Sequence, residues 1–386
     1  MTVTAPEATR ARRPFAIYAI TKHGIEIARC LQAGLPDADL YVSEKLRALA
    51  PNTAKLFVLP MGPLLADTFA AYDCHLFVIS VGAVVRMVAP LLRNKKVDPA
   101  VLCIDDAIRF TICVLSGHVG RGNAFTERAA SILGNQAVIT TASDVIGTLT
   151  VDILGRDLGW TLDDPDRNVT RGCAAVVNAM PVLFVQEAGA PGWWPEDKTL
   201  PPGVQYATSL DGVDPSDFEI LLIASDRDVR ATYPACWENA VIYRPQTLVV
   251  GIGCDRDTPP DLVERGVTSL LAKHGLSQAS VRQIASIDVK ADEPALLALS
   301  RRHNWPLRVF TAIELDQIAD IPTPSEVVKR HVGVRGVAEP SALKASGAQQ
   351  LLVTKQIYTE PGANRSMTFA VARIPHSPRR TEPTRD

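Results

Sequence analysis

Residues 75–93 read HLFVISVGAVVRMVAPLLR. LFVI is an unbroken apolar run of the kind a buried strand requires, Ser80 and Gly82 interrupt it, and AVVRMVAPLLR is long enough to form a helix. A strand, a short glycine-bearing turn and a helix in that order point to a layered α/β fold. The pattern continues on both sides. PFAIYAI (14–20) reads as a strand leading into a helix through about Cys30, and KLFVLP (55–60) as another strand. AVLCI (100–104) and FTICVL (110–115) are strands flanking the polar turn DDAIR, AFTERAASILG (124–134) is a helix, and QAVITTA (136–142) is a strand.

The composition shifts near residues 145–164. From there to Arg244 only PVLFVQ (181–186) and EILLIAS (219–225) read as strands, among loops such as PGWWPEDKTLPPG. TLVVGIG (247–253) opens a third segment, in which DLVERGVTSLLAKHG, ALLALSRRHN and SEVVKRH are helical and VRQIASID, LLVTKQIY and MTFAVAR are strands. The expected architecture is a multi-domain α/β protein. An N-terminal α/β domain covers 14–150, a small loop-rich middle domain 151–245 and a C-terminal α/β domain 246–374, with disordered tails at 1–13 and 375–386.

With 386 residues, 47% of them hydrophobic and 21% charged, the chain can bury several cores. Its 40 basic and 42 acidic side chains leave a formal charge of −2, which argues against nucleic acid or an anionic membrane as partner. The seven cysteines are scattered and form no CxxC pair, so no metal site is expected and a reducing cytoplasm suits them. No apolar run approaches the roughly 18 residues of a membrane span, and the basic N-terminus has no apolar stretch of the signal-peptide kind.

LSGHVGRGN (115–123) lies where a strand gives way to a helix. Its glycines allow close backbone approach, and the helix start offers unpaired N–H groups to an anionic oxygen, with Asn123 as N-cap. A tight turn whose histidine bonds a backbone carbonyl fits the same residues. SVGAVVR, with Ser80, Gly82 and Arg86, repeats the design, and its loop opens on the same sheet edge if its strand runs parallel to FTICVL. Asp105 and Asp106 resemble an acid–base pair. Across a hairpin, however, they sit at the far end of FTICVL from His118, about 20 Å away at roughly 3.3 Å per residue. GIGCDRDTPP (251–260) lacks the third glycine of a dinucleotide fingerprint. GVRGVAEPSAL (333–343) places Glu339 where a helix dipole favours a carboxylate. Four glycine-bearing loops before helices, with arginine nearby, suit a small molecule carrying several anionic groups.

GAVVRMVAPLLRNKKVDPAVLCIDDAIRF, LSGHVGRGN and ITTASD, in this order, resemble the amino-terminal part of the CbiG family of cobalamin biosynthesis. LVVGIGCDRDTP, GVRGVAEPSAL and the closing LLVTKQIY and MTFAVAR resemble its carboxy-terminal domain, which is also similar to the stand-alone CobE proteins. The likeness spans Phe15 to Ile374 and is weakest in the middle. One departure is that Arg121 and Gly122 stand where the family loop, SGHxGGAN, has Gly-Ala. The resemblance implies a cobalt-precorrin-5A hydrolase. Such an enzyme opens the δ-lactone between a ring A acetate and the meso carbon of a cobalt tetrapyrrole, then releases that carbon as acetaldehyde. It implies no protein-bound cofactor, because the cobalt arrives with the substrate. His118 is then the candidate general base, loop N–H groups between Gly117 and Asn123 the oxyanion donors, and Glu339 the second acid–base candidate. Ser80, Gly82, Arg86, Ser116, Gly117, Arg121, Asn123, Gly253 and Arg335 are the candidate substrate-binding residues. A non-catalytic carrier that hands corrinoid intermediates to the pathway methyltransferases would use the same loops, and transient contact with those enzymes is expected in either case.

Overall fold

The computed structural model describes residues 12–318, 321–324, 333–362 and 365–376. Residues 1–11 and 377–386 of the expected tails, and the helix expected at SEVVKRH, lie outside the described residues. The chain forms two compact units, Met1–Ile153 and Leu154–Asp386.

The first unit is built on one seven-stranded sheet. Its strands are β1 (Arg13–Ala19), β2 (Ala38–Ser43), β3 (Lys55–Phe57), β4 (Tyr72–Val78), β5 (Ala100–Ile104), β6 (Phe110–Leu115) and β7 (Gln136–Val138), in the order β3-β2-β1-β4-β5-β6-β7. The helices are α1 (Lys22–Gly34), α2 (Gly62–Thr68), α3 (Val81–Val88), α4 (Gly122–Leu133) and α5 (Ala142–Ile146). The strands β1 to β5 run parallel, as crossover helices require. The short DDAIR turn instead makes β6 antiparallel to β5, and β7 then pairs parallel to β6. Apolar side chains on the two sheet faces bury against α1 and α4 on one side and against α2 and α3 on the other. The helix expected over AVVRMVAPLLR ends at Val88 and tightens into a single turn at Ala89–Leu91, because Pro90 has no N–H to continue it. The strand expected over QAVITTA keeps only its first three residues, and the rest leads into α5.

The second face buries a histidine. His75 is wholly enclosed, with Nδ1 3.0 Å from the Tyr18 hydroxyl and Nε2 3.0 Å from the Phe69 carbonyl. Burial pushes its pKa down to about 4. The folded state therefore refuses a proton that the unfolded chain accepts below about pH 6.5. Stability is unaffected above that pH and falls on acidification, by about 3 kcal/mol by the time pH 4 is reached. Urea midpoints for the full chain between pH 7 and 4 are expected to follow this slope, and His75→Gln to flatten it. An unchanged slope in the variant would remove His75 as the cause.

The second unit carries two five-stranded sheets. The middle one comprises β8 (Thr161–Leu162), β9 (Val182–Gln186), β10 (Val204–Ala207), β11 (Ile220–Ala224) and β12 (Ala240–Arg244), in the order β10-β9-β11-β12-β8. Five strands stand where the sequence reading found two. Both β8 and β10 are too short to show a period, and AVIYR of β12, buried throughout, shows no alternation. The last sheet comprises β13 (Leu248–Cys254), β14 (Val281–Ile287), β15 (Leu307–Phe310), β16 (Leu351–Tyr358) and β17 (Met367–Arg373), in the order β15-β14-β13-β17-β16. Among the described residues the unit also carries helices α6 (Val169–Val177), α7 (Val229–Thr232), α8 (Pro234–Glu238), α9 (Pro260–Lys273), α10 (Pro294–His303), α11 (Ala312–Asp316) and α12 (Ala338–Ser346). Gly251 in β13 lets α12 lie directly on the sheet, since a Cβ there would fall 1.9 Å from the Ala338 carbonyl oxygen. No helix among the described residues is long and apolar enough to cross a membrane.

Candidate active site

The loop from Ser116 to Gly122 is closed by its own backbone. Gly122 N–H donates to Ser116 O (2.9 Å), Asn123 N–H to Gly117 O (3.0 Å) and Arg121 N–H to His118 O (2.9 Å). Three of the amides expected as oxyanion donors are therefore spent on shaping the loop. Its glycines serve the same packing. At Gly120 a Cβ would lie 2.5 Å from Ser116 Cβ and 2.9 Å from Ser116 O, and at Gly122 2.8 Å from Leu115 O. Asn123, the expected N-cap, is already inside α4. Arg121, in the left-handed region at φ 61°, holds the cap position instead.

His118 does not stand alone. Its Nε2 lies 2.7 Å from Asp144 Oδ2 and 3.2 Å from Ser143 Oγ, and its Nδ1 lies 3.3 Å from Asp152 Oδ1. The Asp152 contact is an ion-pair distance without hydrogen-bond alignment, and that buried oxygen has no hydrogen-bond donor among the described residues. Asp144 Oδ2 also accepts from Thr141 Oγ1 (2.6 Å) and from Asn123 Nδ2 (2.8 Å), while Asn123 Nδ2 reaches Thr141 Oγ1 as well. The histidine side chain is 18% exposed against 39% for Asp144, so the cluster opens to solvent on the Asp144 side.

The electrostatics follow from this placement. The carboxylate of Asp152, and next that of Asp144, raise the His118 pKa above its ordinary value in spite of partial burial. Burial pushes Asp144 up, but the Thr141 hydroxyl, the His118 ring and the Asn123 amide together hold it below the usual carboxylate range. An imidazole between two carboxylates is made more basic, and the imidazolium that forms when it takes a proton is stabilised.

The other sequence candidates lie elsewhere. Because β6 runs antiparallel to β4, the loop with Ser80, Gly82 and Arg86 opens on the opposite sheet edge from His118, not on the same one. Arg86 folds back onto its own helix and donates to Gly82 O (2.9 Å). Asp105 caps its own turn, accepting from Arg109 N and Phe110 N on that same far edge. Ser116 donates its hydroxyl to Asp98 O at 3.0 Å. In the second unit, Glu339 is 2% exposed and accepts from Thr323 N, Thr323 Oγ1 and Lys355 N. Arg335 lies 3.6 Å from Asp316, and Gly253 faces Thr368 and Val337 in the sheet.

Asp144 and Asp152 are not among the residues expected from the sequence. The first had a signal, since Thr141-Ala-Ser-Asp144 is a helix-start pattern that would have replaced a strand by α5 and turned Asp144 toward Thr141. Asp152 lies in the stretch where the patterning fades, and nothing in its neighbours marks it.

Three family models match along the chain: "Cobalamin synthesis G N-terminal" over residues 63–144, "Cobalamin biosynthesis central region" over 149–245 and "Cobalamin synthesis G C-terminus" over 248–372. A cobalt-precorrin-5A hydrolase of Priestia megaterium is 36% identical over 367 residues, covering 95% of this chain and 96% of the relative. A protein of the same name from Salmonella typhimurium is 32% identical, covering 87% and 93%. Protein CobE of Sinorhizobium sp is 36% identical over 111 residues, 28% of this chain and 72% of the relative.

Proposed function

This chain belongs to the CbiG family of cobalamin biosynthesis, and on that footing we propose that it is a cobalt-precorrin-5A hydrolase whose reaction centre is His118 with Asp144 and Asp152. The observation that carries the reading of the site is the seating of His118 between two carboxylates, which gives one ring both basicity and orientation.

The neutral imidazole takes a proton from water as its oxygen adds to the lactone carbonyl carbon. The acyl C–O bond then breaks, and the meso-carbon oxygen leaves with the proton held by His118, so the ring ends the step neutral again. The products are a ring A acetate and an alcohol on the methyl-bearing meso carbon. In fragmentation that alcohol loses its proton to the same base and becomes the carbonyl of acetaldehyde. The electron pair of the breaking C–C bond passes into the macrocycle, which accepts a proton. The Asp152 carboxylate, 3.3 Å from Nδ1, stabilises the imidazolium by its charge, and the Nε2 lone pair is the one that takes the water proton. The cluster is open to solvent on the Asp144 side, which is where the attacking water reaches Nε2. Glu339, held by three donors in the other unit, takes no step in this scheme. Cobalt enters with the substrate. We place the reaction in the cytoplasm, with product passing onward to the pathway methyltransferases.

Incubation with the lactone substrate tests the proposal, with one acetaldehyde expected per lactone consumed. Tight binding without acetaldehyde would leave a carrier. The pH profile tests the base. Because the His118 pKa is raised above 6.5, its neutral form is reached only above that value, and kcat/KM is expected to rise with pH through it. Asp152→Asn removes the largest cause of the shift and is expected to move the rising limb to lower pH. A limb that stays in place would show that another group is titrating.

A further inference from the structure

The sheet edge that carries His118 also carries a small cavity with a cationic rim. The register Val101↔Leu115 sets the reactive loop beside the start of β5, and the segment before that strand is LLRNKKVDP, residues 91–99. This basic segment is a built turn. The Asp98 carboxylate accepts from Arg93 N (3.0 Å) and Asn94 N (2.9 Å), Asn94 Oδ1 accepts from Lys96 N, and Asn94 O accepts from Val97 N and Asp98 N. The negative charge of the turn is thus directed at its own backbone, while the side chains of Arg93 and Lys95 are exposed.

Between this turn and α2 lies a cavity of about 280 Å³, walled by Phe69 and Leu91 on its apolar side and by Arg12, Arg93, Val97 and Asp98 at its rim. Arg12 is fixed there by a bond to Val97 O (2.6 Å). The reactive loop is tied to the same rim, since Ser116, two residues from His118, donates to Asp98 O. Pockets that enclose a whole drug-sized ligand start at roughly 300 Å³, so this one suits a side arm rather than a macrocycle. An apolar floor under two guanidinium groups fits a carboxylate on a short methylene stem.

We propose that this cavity is a subsite for one acetate or propionate arm of the tetrapyrrole, holding it while the ring A lactone lies at His118. The assignment rests on the hydrolase reading above. It moves the anion-binding role from the loop at Ser80, on the opposite edge, to the turn at Arg93.

The test uses the full chain and two corrinoid probes, cobyrinic acid with its seven free carboxylates and the corresponding heptamethyl ester. The double variant Arg93→Glu, Lys95→Glu is expected to bind the acid about tenfold more weakly at low salt, with the gap closing as salt is added, and to bind the ester as the wild type does. KM for the lactone substrate is expected to rise with it. Lys22→Glu combined with Lys45→Glu, at two exposed positions outside the cavity, makes the same change in net charge and is the control. Equal affinity of the double variant and the wild type for the acid would overturn the subsite, as would equal losses for acid and ester. These outcomes are separate from failure of the hydrolase reading, which would appear as wild-type protein that binds substrate and releases no acetaldehyde.

Discussion

His118→Gln is expected to slow acetaldehyde release about 100- to 10,000-fold, the range lost with a general base, while the protein stays folded. The ring contacts both carboxylates of the cluster, at 2.7 Å and 3.3 Å. Asp144 would keep its bonds from Thr141 and Asn123, so α5 remains anchored to α4 without the histidine. Glutamine retains a donor and comparable volume but cannot accept and return a proton near neutral pH. Single-turnover release of acetaldehyde from the lactone substrate, with thermal unfolding as the control, measures the effect. Turnover within a few-fold of wild type would sink the assignment of the base.

The largest effect on stability is expected at Arg373→Met. Asp226 is fully buried and accepts from Arg373 Nε (2.7 Å), Arg373 Nη2 (2.6 Å) and Thr247 Oγ1 (2.7 Å). The pair joins the end of β17 to the residues after β11, so it links the two sheets of the second unit. Removing the cation leaves a buried carboxylate without its counter-ion, which costs about 3–5 kcal/mol. Adding Asp226→Asn to Arg373→Met is expected to recover part of the loss, because no charge then remains buried. Urea midpoints of the single and double variants decide this. Strict additivity of the two losses would contradict a coupled pair.

The strand–helix alternation was legible because buried strands and amphipathic helices have different lengths and periods, and LFVI followed by AVVRMV shows both. Hairpin geometry was legible too: DDAIR is a turn between antiparallel strands, and the distance argument separating Asp105 from His118 holds. The direction of FTICVL relative to HLFV emerges only when the parallel crossover through α3 and the hairpin at DDAIR are combined, since neither run shows its direction by itself. That one reversal puts Ser80 and His118 on opposite edges. The partners of His118 were hidden for a related reason. Asp144 and Asp152 follow it by 26 and 34 residues, and only the folding of α5 against the loop brings them together. The middle sheet was underread because two of its strands are too short to show a period and β12 lies beside a polar loop.

The central claim is that water adds to the lactone carbonyl at His118. The most direct measurement is turnover in 18O-labelled water, with the acetaldehyde reduced to ethanol as it forms so that its oxygen cannot exchange. The expected result is one labelled oxygen in the ring A acetate and none in the ethanol, because acyl cleavage leaves the bridging oxygen on the meso carbon. Label in the ethanol with an unlabelled acetate would place the cleavage at the meso carbon and contradict the account.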